Sequence, residues 1–94
     1  MFKHLAQEWG AATGAEFRAK GADVQLGPGV GVARTPLAGR NFEYLSGEDG
    51  YFGYVAVQPV VRGIQSQGVM ANAKHYINND QEYDRGNVSA IVDA

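Results

Sequence analysis

The sequence predicts an α/β fold in which parallel strands are joined by crossover helices. Two stretches with helical spacing of apolar residues, about Lys3–Lys20 and Gly50–Gln67, are each followed by a short strand candidate, Ala22–Leu26 and Val69–Ala73. The second candidate shows little polar alternation, as expected of a strand buried on both faces. The order strand, connection, helix, strand is that of a βαβ unit, whose strands run parallel.

In the first helix, Leu5, Trp9, Ala12 and Phe17 fall near one face, which makes Trp9 the expected core anchor. Arg18 and Lys20 sit in its last turn, where cations favour the helix dipole, and Gly21 is a natural stop. Gly10 and Gly14 each cost about 1 kcal/mol relative to alanine, so they weaken the helix locally. The glycine-rich GPGVGV that follows ADVQL is not a dinucleotide loop. Val32 stands where the last glycine is needed, and no helix follows at once. It reads as a tight strand exit with close backbone packing. Gly27–Gly47 forms a long loop, a length associated with function or disorder. Ser46 and Asp49 have capping-box spacing and open the second helix. Phe52, Ala56, Val60, Gly63 and Ile64 then recur on one face. Pro59 lies inside that pattern and is expected to kink the helix or split it. The tail NVSAIVD, Asn87–Asp93, is a candidate third strand.

Composition narrows the function classes. The chain has 94 residues, 45% hydrophobic and 19% charged, which is globular rather than disordered and the size of a single unit spanning residues 1–94. A net charge of −2 with no basic stripe argues against a nucleic-acid partner. The absence of cysteine rules out disulfides and thiolate metal sites. No apolar run approaches the ~20 residues that span a bilayer, so no membrane partner is expected. The opening MFKHLAQEWG lacks the apolar core of a signal peptide.

Most local motifs resolve to bland readings. Asp80, Glu82 and Asp84 alternate like calcium ligands, but the required glycine comes one position late, at Gly86, and the closing glutamate would fall on Ile91. They read as a solvated acidic loop. His4 and His75 have no metal-ligand spacing, and His4 reads as a surface residue, so no metal or cofactor is expected. There is no nucleophile elbow. Asn87-Val88-Ser89 is a glycosylation sequon that matters only for a secreted chain.

Two clusters remain, Gly39-Arg40-Asn41-Phe42-Glu43 and Lys74-His75-Tyr76. Singly, Arg40 is a loop arginine paired with Glu43 or Glu48, and Lys74 is a surface lysine. Together they weigh more, because both follow C-terminal strand ends of one βαβ unit, the edge where α/β folds bind ligands. Arg, Lys and His offer several donors, which suits a hydroxyl-rich ligand or an anion.

At these residues the sequence resembles a known family. ADVQLGPGVGVARTPLAGRNFEYLSGED and VVRGIQSQGVMANAKHYINNDQE are similar to the N-terminal barrel domain of glycoside hydrolase family 3, the β-glucosidase type. GRNFE and AKHY-x-NN-x-QE are specific in combination. The resemblance implies a partial (β/α) TIM-like barrel with two to three parallel strands and crossover helices. It implies a retaining hydrolase of terminal β-D-glucosyl residues, acting on a β-glucoside or cello-oligosaccharide. It assigns sugar-hydroxyl binding in the glycone subsite to Arg40, Lys74 and His75. The family's nucleophile lies in a later Ser-Asp-Trp motif and its acid/base further on; neither is in this chain, nor is the upstream aspartate that grips the sugar. Gly50 stands where the family commonly has proline, and Asp80 where asparagine is common. The Pro-Gly-His sequence typical of the hexosaminidase branch is absent.

A complete barrel takes about 250 residues, so this chain reads as a piece of one. It is expected to be inactive alone and to need the remainder of the hydrolase; a competing reading is that it orders only by pairing its open strand edges with a second copy. The resemblance implies an extracellular or periplasmic parent. Competing readings are a non-catalytic sugar-binding or assembly module, and a β-xylosidase parent.

Overall fold

A computed structural model describes residues 1–91. Helix α1 runs Phe2–Ala19, strand β1 Val24–Gln25, helix α2 Gly50–Ser66 and strand β2 Met70–Ala71. Two short 3-10 turns, Pro36–Ala38 and Asn41–Glu43, break the long loop between β1 and α2. The strands pair in parallel, Val24 with Met70 and Gln25 with Ala71, with α2 as the crossover. The βαβ expectation is met, as two helices and two parallel strands. The proposed third strand is not formed over Asn87–Ile91, and Val92 and Asp93 lie outside the described residues.

The strongest departure from the sequence expectation is the face that α1 buries. Leu5 and Trp9 are 64% and 49% exposed, and Phe17 also faces outward. Ala6, Gly10 and Gly14 are buried instead, one helical turn apart. The facing helix α2 buries Ala56, Val60, Gly63 and Ile64, with Val60 against Gly10 and Ile64 against Gly14. Trp9 is therefore not the core anchor. A small-residue stripe lets two helix backbones approach more closely than large side chains allow. A Cβ at Gly14 would stand 2.9 Å from the Ile64 carbonyl oxygen, and one at Gly63 would stand 2.6 Å from the Ala11 nitrogen. The glycines that weaken α1 locally thus create its packing surface. Ala6, Val60, Ile64 and Val69 form the core cluster, with Leu45 and Ala71 against it.

The α2 face is the one its spacing predicts, except that Phe52 is partly exposed and packs against Phe2 with ring centroids 4.9 Å apart. The helix continues through Pro59 without splitting. Pro59 itself is buried with Ala56 and Val60, and that burial holds the turn despite the missing N–H. The cap also differs from expectation. Asp49 is the N-cap and accepts from the Tyr51 N–H at 2.9 Å. Ser46 is buried, and its hydroxyl accepts from the Gly31 N–H at 3.3 Å.

Candidate functional site

Beyond β1 the chain stays in register with two neighbours at once. Gly29 bridges in parallel to both Tyr44 and Lys74. The Lys74 N–H donates to the Pro28 carbonyl at 3.0 Å, the Val30 N–H to the Lys74 carbonyl at 2.6 Å, and the Leu45 N–H to the Gly29 carbonyl at 3.0 Å. A side chain at Gly29 would stand 2.6 Å from the Glu43 carbonyl oxygen. The close packing expected of the glycine run therefore has a purpose. It threads one strand end between the GRNFEY loop and the Lys74-His75 segment. The Gly27–Pro28 and Lys74–His75 peptide bonds are cis.

The loop that carries Arg40 is shaped by its own backbone. Thr35 caps the turn at Pro36–Ala38, and the Asn41 side-chain amide donates to the Thr35 carbonyl at 2.8 Å. Gly39 has φ of 91° and delivers Arg40 into the cluster. Arg40 Nε donates to Glu43 Oε1, and its Nη1 donates to Glu82 Oε2 at 3.3 Å. Lys74 Nζ lies 2.9 Å from Glu43 Oε2. Arg40 and Lys74 are thus joined through one carboxylate. The Tyr44 hydroxyl and His75 Nδ1 share a hydrogen bond of 2.9 Å.

These groups stand beside an open hollow of about 390 Å³, a volume in the range of small-molecule sites. Arg40, Asn41, Tyr44, His75 and Glu82 are in its wall, but Lys74 is not. The acidic loop read as solvated is partly engaged here: Asp80 pairs with Arg34 at 3.1 Å, and Glu82 also meets Arg85 at 3.3 Å. Of the two alternatives for Arg40, the partner is Glu43, with Glu82 in place of Glu48. Glu43, Tyr44 and Glu82 were missed as site residues. Their proximity to Arg40 or His75 in the quoted motifs was the available signal. His4 is exposed and pairs with Glu8. Among the described residues no group of three or more His, Cys, Asp or Glu could hold a metal ion, and no helix is long and apolar enough to cross a membrane.

Electrostatics set the protonation states. The Arg40 hydrogen bond, then that of Lys74, holds the Glu43 carboxyl at about 2. Glu43 in turn raises Arg40. Burial, then the Arg40 and Lys74 charges, pushes His75 below its ordinary 6.5, so its imidazole is neutral at neutral pH. Both groups release protons more readily folded than unfolded, so each makes the fold more stable as pH rises. The Glu43 part is complete above 4.5 and is lost as pH falls toward about 2. The His75 part is complete above 6.5 and declines as pH falls below it. Glu43 and its two cationic partners remain partly exposed, so the share of stability from these pairs is small. In a carboxyl-carbon NMR titration Glu43 is expected to remain ionised through pH 4, and the His75 ring to titrate below 6.5. A Glu43 midpoint at an ordinary 4.5 would contradict the pairing.

The charged groups of this parallel α/β unit gather beyond its strand ends, the edge at which α/β folds commonly bind ligands. The chain belongs to glycosyl hydrolase family 3: the profile of that family's N-terminal domain matches residues 2–93. It is 50% identical over 84 residues to a β-glucosidase of Bacteroides ovatus, covering 89% of this chain and 11% of that protein. It is 45% identical over 91 residues to thermostable β-glucosidase B of Acetivibrio thermocellus, covering 97% and 12%. Among solved structures it resembles β-glucosidase 3B from Thermotoga neapolitana in complex with α-D-glucose, with a TM-score of 0.79 and 46% identity over 85% of this chain and 11% of that one. The chain spans about a tenth of the length of these relatives.

Proposed function

We propose that residues 1–94 are one piece of the N-terminal TIM-like barrel of a retaining β-glucosidase, and that Arg40, Lys74 and His75 bind the glucosyl unit in its glycone subsite. The observation that carries this is the convergence of the three: Arg40 and His75 line one hollow, and Lys74 is tied to Arg40 through Glu43. Ionised and neutral donors at close quarters suit a ring of hydroxyls. The glucose complex of the similar Thermotoga neapolitana enzyme supports the same ligand class.

Retaining hydrolysis needs two carboxylates about 5–5.5 Å apart, flanking the scissile bond as nucleophile and acid/base. Glu43 and Glu82 are engaged by Arg40, Lys74 and Arg85, which suits holding rather than attack. The nucleophile and acid/base therefore belong to the remainder of the hydrolase, and the open edges of β1 and β2 are where its neighbouring strands would pair. The 94-residue chain is expected to bind glucose, detected by saturation-transfer NMR, and to release no nitrophenol from an aryl β-glucoside. Robust turnover that survives Lys74→Ala, or no glucose signal at all, would overturn this reading.

A further inference from the structure

Arg40 and Lys74 come from loops 34 positions apart, and what joins them is a single carboxylate. Glu43 uses one oxygen for each cation: Oε1 accepts from Arg40 Nε and Oε2 from Lys74 Nζ at 2.9 Å. Glu82 takes Arg40 Nη1 at 3.3 Å, and no described residue pairs with Nη2. The guanidinium is thereby fixed along two of its edges, with the third free for a ligand.

We propose that Glu43 is a positioning residue for the sugar-binding site, holding the Arg40 and Lys74 side chains in one arrangement so that their remaining donors face the ligand. The inference rests on the sugar-site reading above and adds a role to a residue outside the binding set. Three features support positioning over stabilisation. The cluster is separate from the core of Ala6, Val60, Ile64 and Val69. The side chains of Arg40, Glu43 and Lys74 remain 25%, 22% and 25% exposed, where ion pairs contribute little to stability. The Glu43 backbone is itself constrained, because its carbonyl crowds the Cβ position of Gly29, which bridges to Lys74. Two long, flexible side chains would otherwise lose rotamer freedom on binding, and a preformed anchor removes that cost.

The test uses Glu43→Gln and Glu43→Asp in the 94-residue chain, with glucose as the probe. Glu43→Gln keeps the shape but not the charge for two cations. It is expected to keep the circular dichroism and melt within a few degrees of the parent at pH 7. The Arg40 Nε–H resonance should lose its protection from exchange in the absence of sugar, and glucose affinity should fall about ten- to a hundredfold, the scale of a misplaced binding group. Glu43→Asp should restore part of both. An unchanged Arg40 resonance and affinity in Glu43→Gln would overturn the proposal. So would loss of the fold, which would make Glu43 structural. If the parent chain binds no glucose, the sugar-site reading falls, while the Arg40 resonance still decides whether Glu43 positions it.

Discussion

A Gly63→Val chain is expected to lose the α1–α2 packing, with the melting midpoint lowered by roughly 12–24 °C or the cooperative transition lost. A Cβ at residue 63 would fall on the Gln7 carbonyl oxygen, 2.6 Å from the Ala11 nitrogen and 2.9 Å from the Gly10 carbonyl carbon. All three are main-chain atoms of α1, so no rotamer change relieves the clash. The helix must lift away, and doing so uncovers Val60 and Ile64, which are 1% and 0% exposed. Overpacking of this kind costs about 1–3 kcal/mol even where side chains can yield, and exposing one buried aliphatic adds roughly 1.5–3 kcal/mol. In a domain of this size about 3 kcal/mol corresponds to the stated shift. Gly86→Ala is the control, because a Cβ there meets nothing within 4 Å. Thermal circular dichroism of the two variants decides the matter. A Gly63→Val chain that melts within a few degrees of the parent would show that the helices are not packed through their glycines.

Arg40→Ala is expected to weaken glucose binding by about tenfold to more than a hundredfold while leaving the helices folded. The fold should survive because Arg40 makes no contact with the core cluster; its partners are the solvent-accessible Glu43 and Glu82. The binding loss has two sources. The guanidinium donors are gone, and hydrogen bonds to charged groups are among the stronger polar contacts. Glu82 is also left lining the hollow, and Glu43 beside it, with less positive charge to balance them, which disfavours the approach of hydroxyl oxygens as acceptors. Lysine at the same position should not fully rescue, since a single ammonium cannot engage Glu43, Glu82 and a ligand with a planar fork. Ligand-observed NMR titration at neutral pH measures the effect. Unchanged affinity in Arg40→Ala would remove Arg40 from the sugar site.

The clash at residue 63 was invisible in the sequence, and the reason is physical. Periodicity identified both helices to within about a residue or two at their ends, because it reflects hydrogen bonding among neighbours a few positions apart. For α2 it also identified the buried face. For α1 the rule that large apolar residues face inward selected Leu5, Trp9 and Phe17, whereas the helix buries Ala6, Gly10 and Gly14. Intrahelical propensity registers a glycine only as a cost; its benefit appears when another backbone comes close enough to use the missing Cβ. Ser46 shows the same limit. Its spacing from Asp49 fits a cap, but a hydroxyl bonds whichever donor is nearest, and tertiary packing brought the Gly31 N–H to it.

The α/β order, the parallel relation of the two strands, and the two clusters around Arg40 and Lys74-His75 were legible along the chain. Each depends on local spacing or on a motif that can be read along the chain. The tertiary structure decided which carboxylates meet which cations. Arg40 reaches Glu82 across 42 positions, Arg34 reaches Asp80 across 46, and Tyr44 reaches His75 across 31. Such partners are chosen by the path of the backbone, here by Gly29 pairing on both sides, rather than by any preference written in neighbouring residues. Glu43 lies only three positions from Arg40, so that pairing was open to a sequence reading. Its second bond, to Lys74, exists because the folded chain brings two strand ends together.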